Sequence, residues 1–176
     1  MVVDSLSVTL AGSALTAGIN FLFGQATDLL RRRRRSQKDL WSVVEVPAGP
    51  AEVLDGDLVG GPVDLAVLDR YTDQLRELRS AVAEVADGLT DPDPSDADLM
   101  ARVAGLRGLL EVIYGQHITF HGEQRPTTGT PLPADAATTI VNQVTTVTAS
   151  GPGSVAAGRD ITGTLHTGQP SAPEHR

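Results

Sequence analysis

The chain has 176 residues and a formal net charge of −8, from 22 acidic against 14 basic residues. Aromatics make up 3% of it and it contains no cysteine, which excludes a disulfide framework, a thiolate metal site and a core built on large rings. The length allows one ordinary domain or two very small ones, and the acidic balance argues against nucleic acid as a partner.

The charge is uneven along the chain. Residues 1–38 carry +4, residues 39–125 carry −11, and residues 126–176 carry −1. A basic start precedes an acidic middle and a nearly neutral tail rich in Thr, Gly and Pro.

Ser5 to Thr27 is 23 residues without a charge. That length reaches the roughly 20 residues a bilayer span needs, but Ser, Thr, Asn and Gln dilute it. Val8, Leu15, Leu22 and Leu29 recur every seven residues, with Ile19 and Ala26 between them. This is the stripe of an amphipathic helix, expected within residues 1–38, and a stripe with a polar back favours packing over spanning. Ala14 and Gly18 permit close helix contact. Arg31, Arg32, Arg33, Arg34 and Arg35 come next, with the single tryptophan, Trp41, just beyond. The basic cluster follows the apolar stretch rather than leading it, which is the reverse of a secretory signal. The cluster suits an anionic membrane surface, and if the segment before it spans a bilayer, the positive-inside rule keeps the following chain cytoplasmic. Three placements of residues 5–30 stay open: packed within the protein, lying on a membrane, or spanning one.

Residues 39–63 read as a linker, punctuated by Val46-Pro47-Ala48-Gly49-Pro50, Asp55-Gly56-Asp57 and Gly60-Gly61-Pro62. A helical hairpin is expected over 64–116. Leu68, Leu75, Val82 and Leu89 recur every seven residues, with Tyr71, Leu78 and Val85 three after the first three. That is a coiled-coil-like seam of alternating three- and four-residue steps. It stops at Gly88 or in Thr90-Asp91-Pro92-Asp93-Pro94, and Ser95-Asp96-Ala97-Asp98 starts a second helix with a capping-box pattern. Leu99, Val103, Leu106, Leu110 and Ile113 form the second seam. Two similar seams and a short connection predict antiparallel helices. Each buries one face only, so a third partner is needed: either the N-terminal helix, giving a three-helix bundle, or a second copy of the hairpin.

Residues 117–137 read as a second linker. His117-Ile118-Thr119-Phe120-His121 is extended, and Gly122, Pro126, Gly129, Pro131 and Pro133 punctuate the rest of it. A small β tail is expected over 138–168. It opens with the uncharged TTIVNQVTTVT of residues 138–148, a strand signal. Glycine then recurs at 153, 158, 163 and 168, with Val155, Ile161 and Leu165 as the large apolar residue of successive blocks. The tail forms either a β-hairpin or short solenoid-like turns, and it is too small to bury a core by itself. Residues 169–176 are expected to form a disordered end.

The stretch SGPGSVAAGRDITGTLHTG resembles the Gly-punctuated tails of modular signalling and conflict-system proteins of high-GC bacteria. The matching residues are Ser154, Val155, Ala156, Gly158, Asp160, Ile161, Thr162, Gly163, Leu165, Thr167 and Gly168. Residues 112–126, VIYGQHITFHGEQRP, resemble a segment of small uncharacterised proteins of such bacteria. The resemblance implies an accessory or assembly module and carries over no catalytic residue.

No motif for reaction chemistry is present. One lysine excludes a P-loop, and the sequence has neither a GxSxG nor an HExxH. His117 and His121 are four apart with Glu123 nearby, but the intervening Ile-Thr-Phe favours a strand, where two imidazoles at that spacing are poorly placed to share a metal. They are expected at the surface or a hairpin end. The expected protein is therefore not an enzyme, takes no cofactor, metal or small-molecule substrate, and works through a protein partner or self-association. The helical seams, the Arg cluster with Trp41, and the tail residues Val155, Gly158, Ile161, Gly163 and Leu165 are its candidate contacts.

Overall fold

The computed structural model describes residues 12–36, 43–47 and 52–144, all within one compact unit that ends at Val144. The fold is mainly α, as the periodicity predicts. Its helices are α1 (Gly12–Ser36), α2 (Leu65–Ala81), α3 (Ala83–Ala86), α4 (Ala97–Tyr114) and α5 (Ala134–Val144).

The helix starts arise from local chemistry. The Asp64 carboxylate caps α2 by accepting from Ala66 N and Val67 N at 2.8 and 3.2 Å. The Asp96 carboxylate caps α4 by accepting from Asp98 N and Leu99 N, both at 3.0 Å. Each satisfies amides that have no partner within the helix. Ser95 turns instead to the Asp93 carboxylate, whose acidity that bond strengthens. At the far end of α4, Gly115 takes the left-handed cap with φ 67°.

α1 packs against α2, α3 and α4, and α2 packs against α4. The stripe Leu15, Ile19, Leu22, Ala26 and Leu29 is buried in the same core as Leu68, Leu75, Val82, Leu99, Val103, Leu106 and Leu110. Three side-chain bonds set the directions. Arg33 Nε donates to Asp69 near the start of α2 at 2.6 Å. Arg79 Nε, near its end, donates to Thr27 Oγ1 at 2.7 Å. Tyr114 OH, at the end of α4, donates to Gln25 Oε1 at 3.0 Å. α1 and α2 therefore run in opposite directions.

The structure corrects four expectations. Leu89 is 78% exposed: the helical path stops at Ala86, and Gly88 turns the chain with φ 71°, so the fourth seam position never forms. Residues 43–47 and 52–63, the described part of the first segment read as a linker, are not a bare linker, because Val44, Val46, Leu54 and Val63 are core residues. Residues 117–137 likewise carry Ile118 and Phe120 into the core. The strand expected from residue 138 is instead helical through 144, since 138–144 form the second half of α5.

The described residues of the two segments read as linkers that precede α5, 43–47, 52–63 and 117–133, lie against the helices in largely irregular structure. Glu45 bridges Pro62, Leu54 bridges Phe120 and Gln116 bridges Pro131, each antiparallel. Residues 116–117 thus pair with 129–131 and residues 119–121 with 53–55, and Thr128 N bonds Asp55 O between the two partners. Phe120 reaches α1, edge-on to Phe21 with ring centroids 6.2 Å apart, in the space left by Gly18.

Candidate functional site

The densest polar chemistry among the described residues lies where α4 meets these segments. Glu111 is only 1% exposed. Its Oε1 accepts from Ile118 N at 2.9 Å, and Arg125 Nη2 lies 3.2 Å from the same oxygen. One helical turn earlier, Arg107 Nη1 donates to both oxygens of Glu123 at 2.7 and 3.0 Å. Glu123 Oε2 also accepts from Phe120 N at 3.0 Å. Arg107 and Glu111 are spaced for pairing within α4, yet each pairs with the loop instead.

Burial pulls the Arg107 guanidinium below its ordinary value, and nearby Arg125 pulls the same way; Glu123 and Glu111 oppose them. His117 is buried, with Nδ1 3.9 Å from Glu111 Oε1. That Nδ1 and Arg125 Nη1 are buried without a hydrogen-bond partner. Gln116 is buried too. Its side-chain amide accepts from Val59 N at 2.9 Å and donates to Val59 O at 3.0 Å, copying a strand pairing. Thr128 Oγ1 accepts from Thr119 N and donates to Thr119 O.

The cluster clamps a loop to a helix. Its carboxylates are taken up by guanidinium groups and backbone amides, leaving none of them free to face a substrate. His117, expected at the surface, is buried; His121 is exposed. Among the described residues no group of three or more His, Cys, Asp or Glu could hold a metal ion. Sequence reasoning missed Arg107, Glu111 and Arg125. The available signal was that α4 is apolar almost all round from Leu106 to Tyr114, so charges embedded there have no solvent face.

The Arg cluster makes a second polar surface. Arg31, Arg32, Arg34 and Arg35 are exposed at the end of α1, where positive charge complements the helix dipole. Arg31 pairs with Asp28, and Arg33 is held by Asp69. Trp41 lies outside the described residues, as do Val155, Gly158, Ile161, Gly163 and Leu165. No helix among the described residues is long and apolar enough to cross a membrane.

Comparison with protein-family models, curated proteins and solved structures finds no match to this chain.

Proposed function

We propose that this chain is a non-enzymatic interaction and assembly module, an accessory component of a multi-protein bacterial signalling or conflict system working in the cytoplasm. One observation carries the reading: the helices use their apolar faces on one another. The stripe of α1 and both seams meet in one core, so those faces are not free to recruit a partner. The uncharged run from Thr145 to Gly158, outside the described residues, opens with Thr145-Thr146-Val147-Thr148 and is then the segment suited to pairing across an interface.

The test compares the full chain with one ending at Val144, a cut that keeps α5. The shortened chain should keep its melting temperature and helix content while losing mass in light scattering or losing its partner in pull-downs. Equal mass and equal partners for both would refute the reading.

A second reading rests on the exposed arginines. With the α1 stripe inside the bundle, the membrane alternative becomes docking by the Arg end on anionic headgroups rather than insertion of residues 5–30. Each exposed Arg adds roughly 1 kcal/mol near such a surface. Changing Arg31, Arg32, Arg34 and Arg35 to Gln should abolish binding to phosphatidylserine vesicles at unchanged helix content. Absence of vesicle binding by the unaltered chain would remove this reading.

A further inference from the structure

The end of the bundle at which α1 stops carries more than arginines. Asp69, one turn into α2, holds Arg33, and α1 and α2 run in opposite directions. Leu65, at the start of α2, therefore stands beside the last turn of α1. The chain entering α2 is paired with residues 44–46: Val63 N donates to Val44 O at 2.7 Å, Val46 N donates to Gly61 O at 3.0 Å, and Glu45 bridges Pro62. That antiparallel register sets Val43 opposite Asp64, the cap of α2. Val44 and Val63 point inward and are buried, so alternation turns Val43 outward. Val43 is 66% exposed and Leu65 41%.

Exposed apolar side chains scattered singly need no explanation. These two are gathered beside a surplus of positive charge. Arg31 is paired with Asp28 and Arg33 with Asp69, while Arg32, Arg34 and Arg35 have no carboxylate partner among the described residues. The Asp64 carboxylate is taken up by the α2 amides. Glu45, exposed two residues beyond Val43, is the opposing charge, and three arginines outnumber it. Leu89 is exposed as well, but it lies beyond the far end of α2, in an acidic stretch with Asp87 and Asp91.

A soluble anion would use only the arginines, and an apolar partner only Val43 and Leu65. A bilayer interface uses both, since its phosphates take guanidinium groups while short apolar side chains enter the acyl boundary beneath them. We propose that this end of the bundle docks on an anionic bilayer, with Val43 and Leu65 entering the interface and Arg32, Arg34 and Arg35 on the headgroups. Arginine stems lie along apolar surface while their charged heads stay at the phosphates. The inference rests on the Arg-docking reading above and adds the residues that hold the chain once charge has brought it to the surface. The two contributions differ in their response to salt: headgroup attraction is screened, and apolar burial is not.

Co-sedimentation of the full chain with phosphatidylserine vesicles, at about 0.05 and 0.2 M salt, separates them. Val43→Ser with Leu65→Ser keeps the helix caps and the buried core, so helix content should not change. This variant should bind about tenfold more weakly than the unaltered chain at both salt concentrations. The unaltered chain should itself weaken as salt rises. Because the chain has no cysteine, Val43→Cys, Leu65→Cys and Leu89→Cys can each carry a single nitrobenzoxadiazole label. Emission should shift to the blue on phosphatidylserine vesicles at positions 43 and 65 and stay unchanged at 89. Equal binding by the double serine variant, or no blue shift at 43 and 65 while the chain sediments with vesicles, would overturn the insertion and leave the Arg-docking reading standing. An equal blue shift on heparin, which offers anions and no acyl chains, would overturn the bilayer as occupant. No sedimentation of the unaltered chain with phosphatidylserine vesicles would overturn both readings.

Discussion

Replacing Glu111 with Ala removes the centre of the buried clamp, and the structure sets the expected cost. The Ile118 amide loses its acceptor inside the protein, which costs about 1–3 kcal/mol. Arg125 loses its buried counter-charge, and breaking a buried pair costs about 3–5 kcal/mol in general. Arg125 is 22% exposed at its side chain, so it can turn towards water and recover part of that loss. The two costs sum to about 4–8 kcal/mol, and that recovery brings the expected loss down to about 3 kcal/mol. Glu111→Gln keeps an acceptor for Ile118 and loses only the charge, so about 1–2 kcal/mol is expected. In a protein of this size about 3 kcal/mol lowers the melting temperature by roughly 10 °C. Urea unfolding followed by circular dichroism measures both variants. Adding Arg125→Met to Glu111→Ala should restore part of the stability, because the unpaired charge goes too. A cost below about 1 kcal/mol for Glu111→Ala, or no rescue by the second change, would show that the clamp does not hold the loop.

Three further outcomes rest on single residues. Burial pushes the Tyr114 hydroxyl above its ordinary value. A raised folded value means that stability is full below about pH 10, where the unfolded phenol begins to ionise, and falls as the pH rises further; Tyr114→Phe should flatten that alkaline decline in a melting series. Gly129 has φ 86°, and a Cβ there would meet Asp57 O at 2.5 Å, so Gly129→Ala should cost on the order of 1–3 kcal/mol in denaturant unfolding. Leu75→Ala should cost about 2–5 kcal/mol and Leu89→Ala less than about 0.5 kcal/mol, a contrast that checks where the helical seam ends.

The helical part of this fold was legible because one signal, apolar recurrence at three and four residues, survives in the sequence wherever a helix buries one face. The stripe of α1 and the seams of α2 and α4 all carry it. The seven-residue period runs on to Leu89, but of the two stops the sequence offers the chain takes the earlier one, turning at Gly88. Residues 43–63 and 116–132 hid their role because their glycines and prolines mark bends, and a bend lying on the core looks like one in a linker. Val44, Leu54 and Ile118 are single apolar residues between breakers, too sparse to show a period. Residues 138–144 misled in the opposite way: their strand preference is plain, and the helix α4 on which they pack lies some thirty positions away in the chain.

The buried charges answer a need created by those irregular segments. An extended loop laid on a helical bundle brings amides and carbonyls into an apolar region, where each needs a partner. Isolated bridges between 53–55, 116–120 and 129–132 satisfy only some of them. Side chains supply the rest: Glu111 for Ile118 N, Glu123 for Phe120 N, Gln116 for both groups of Val59, and Thr128 for both groups of Thr119. Carboxylates in such places need counter-charges, which Arg125 and Arg107 provide. The cluster thus has a structural reason to exist: it supplies partners to backbone groups that the loop brings onto the helices.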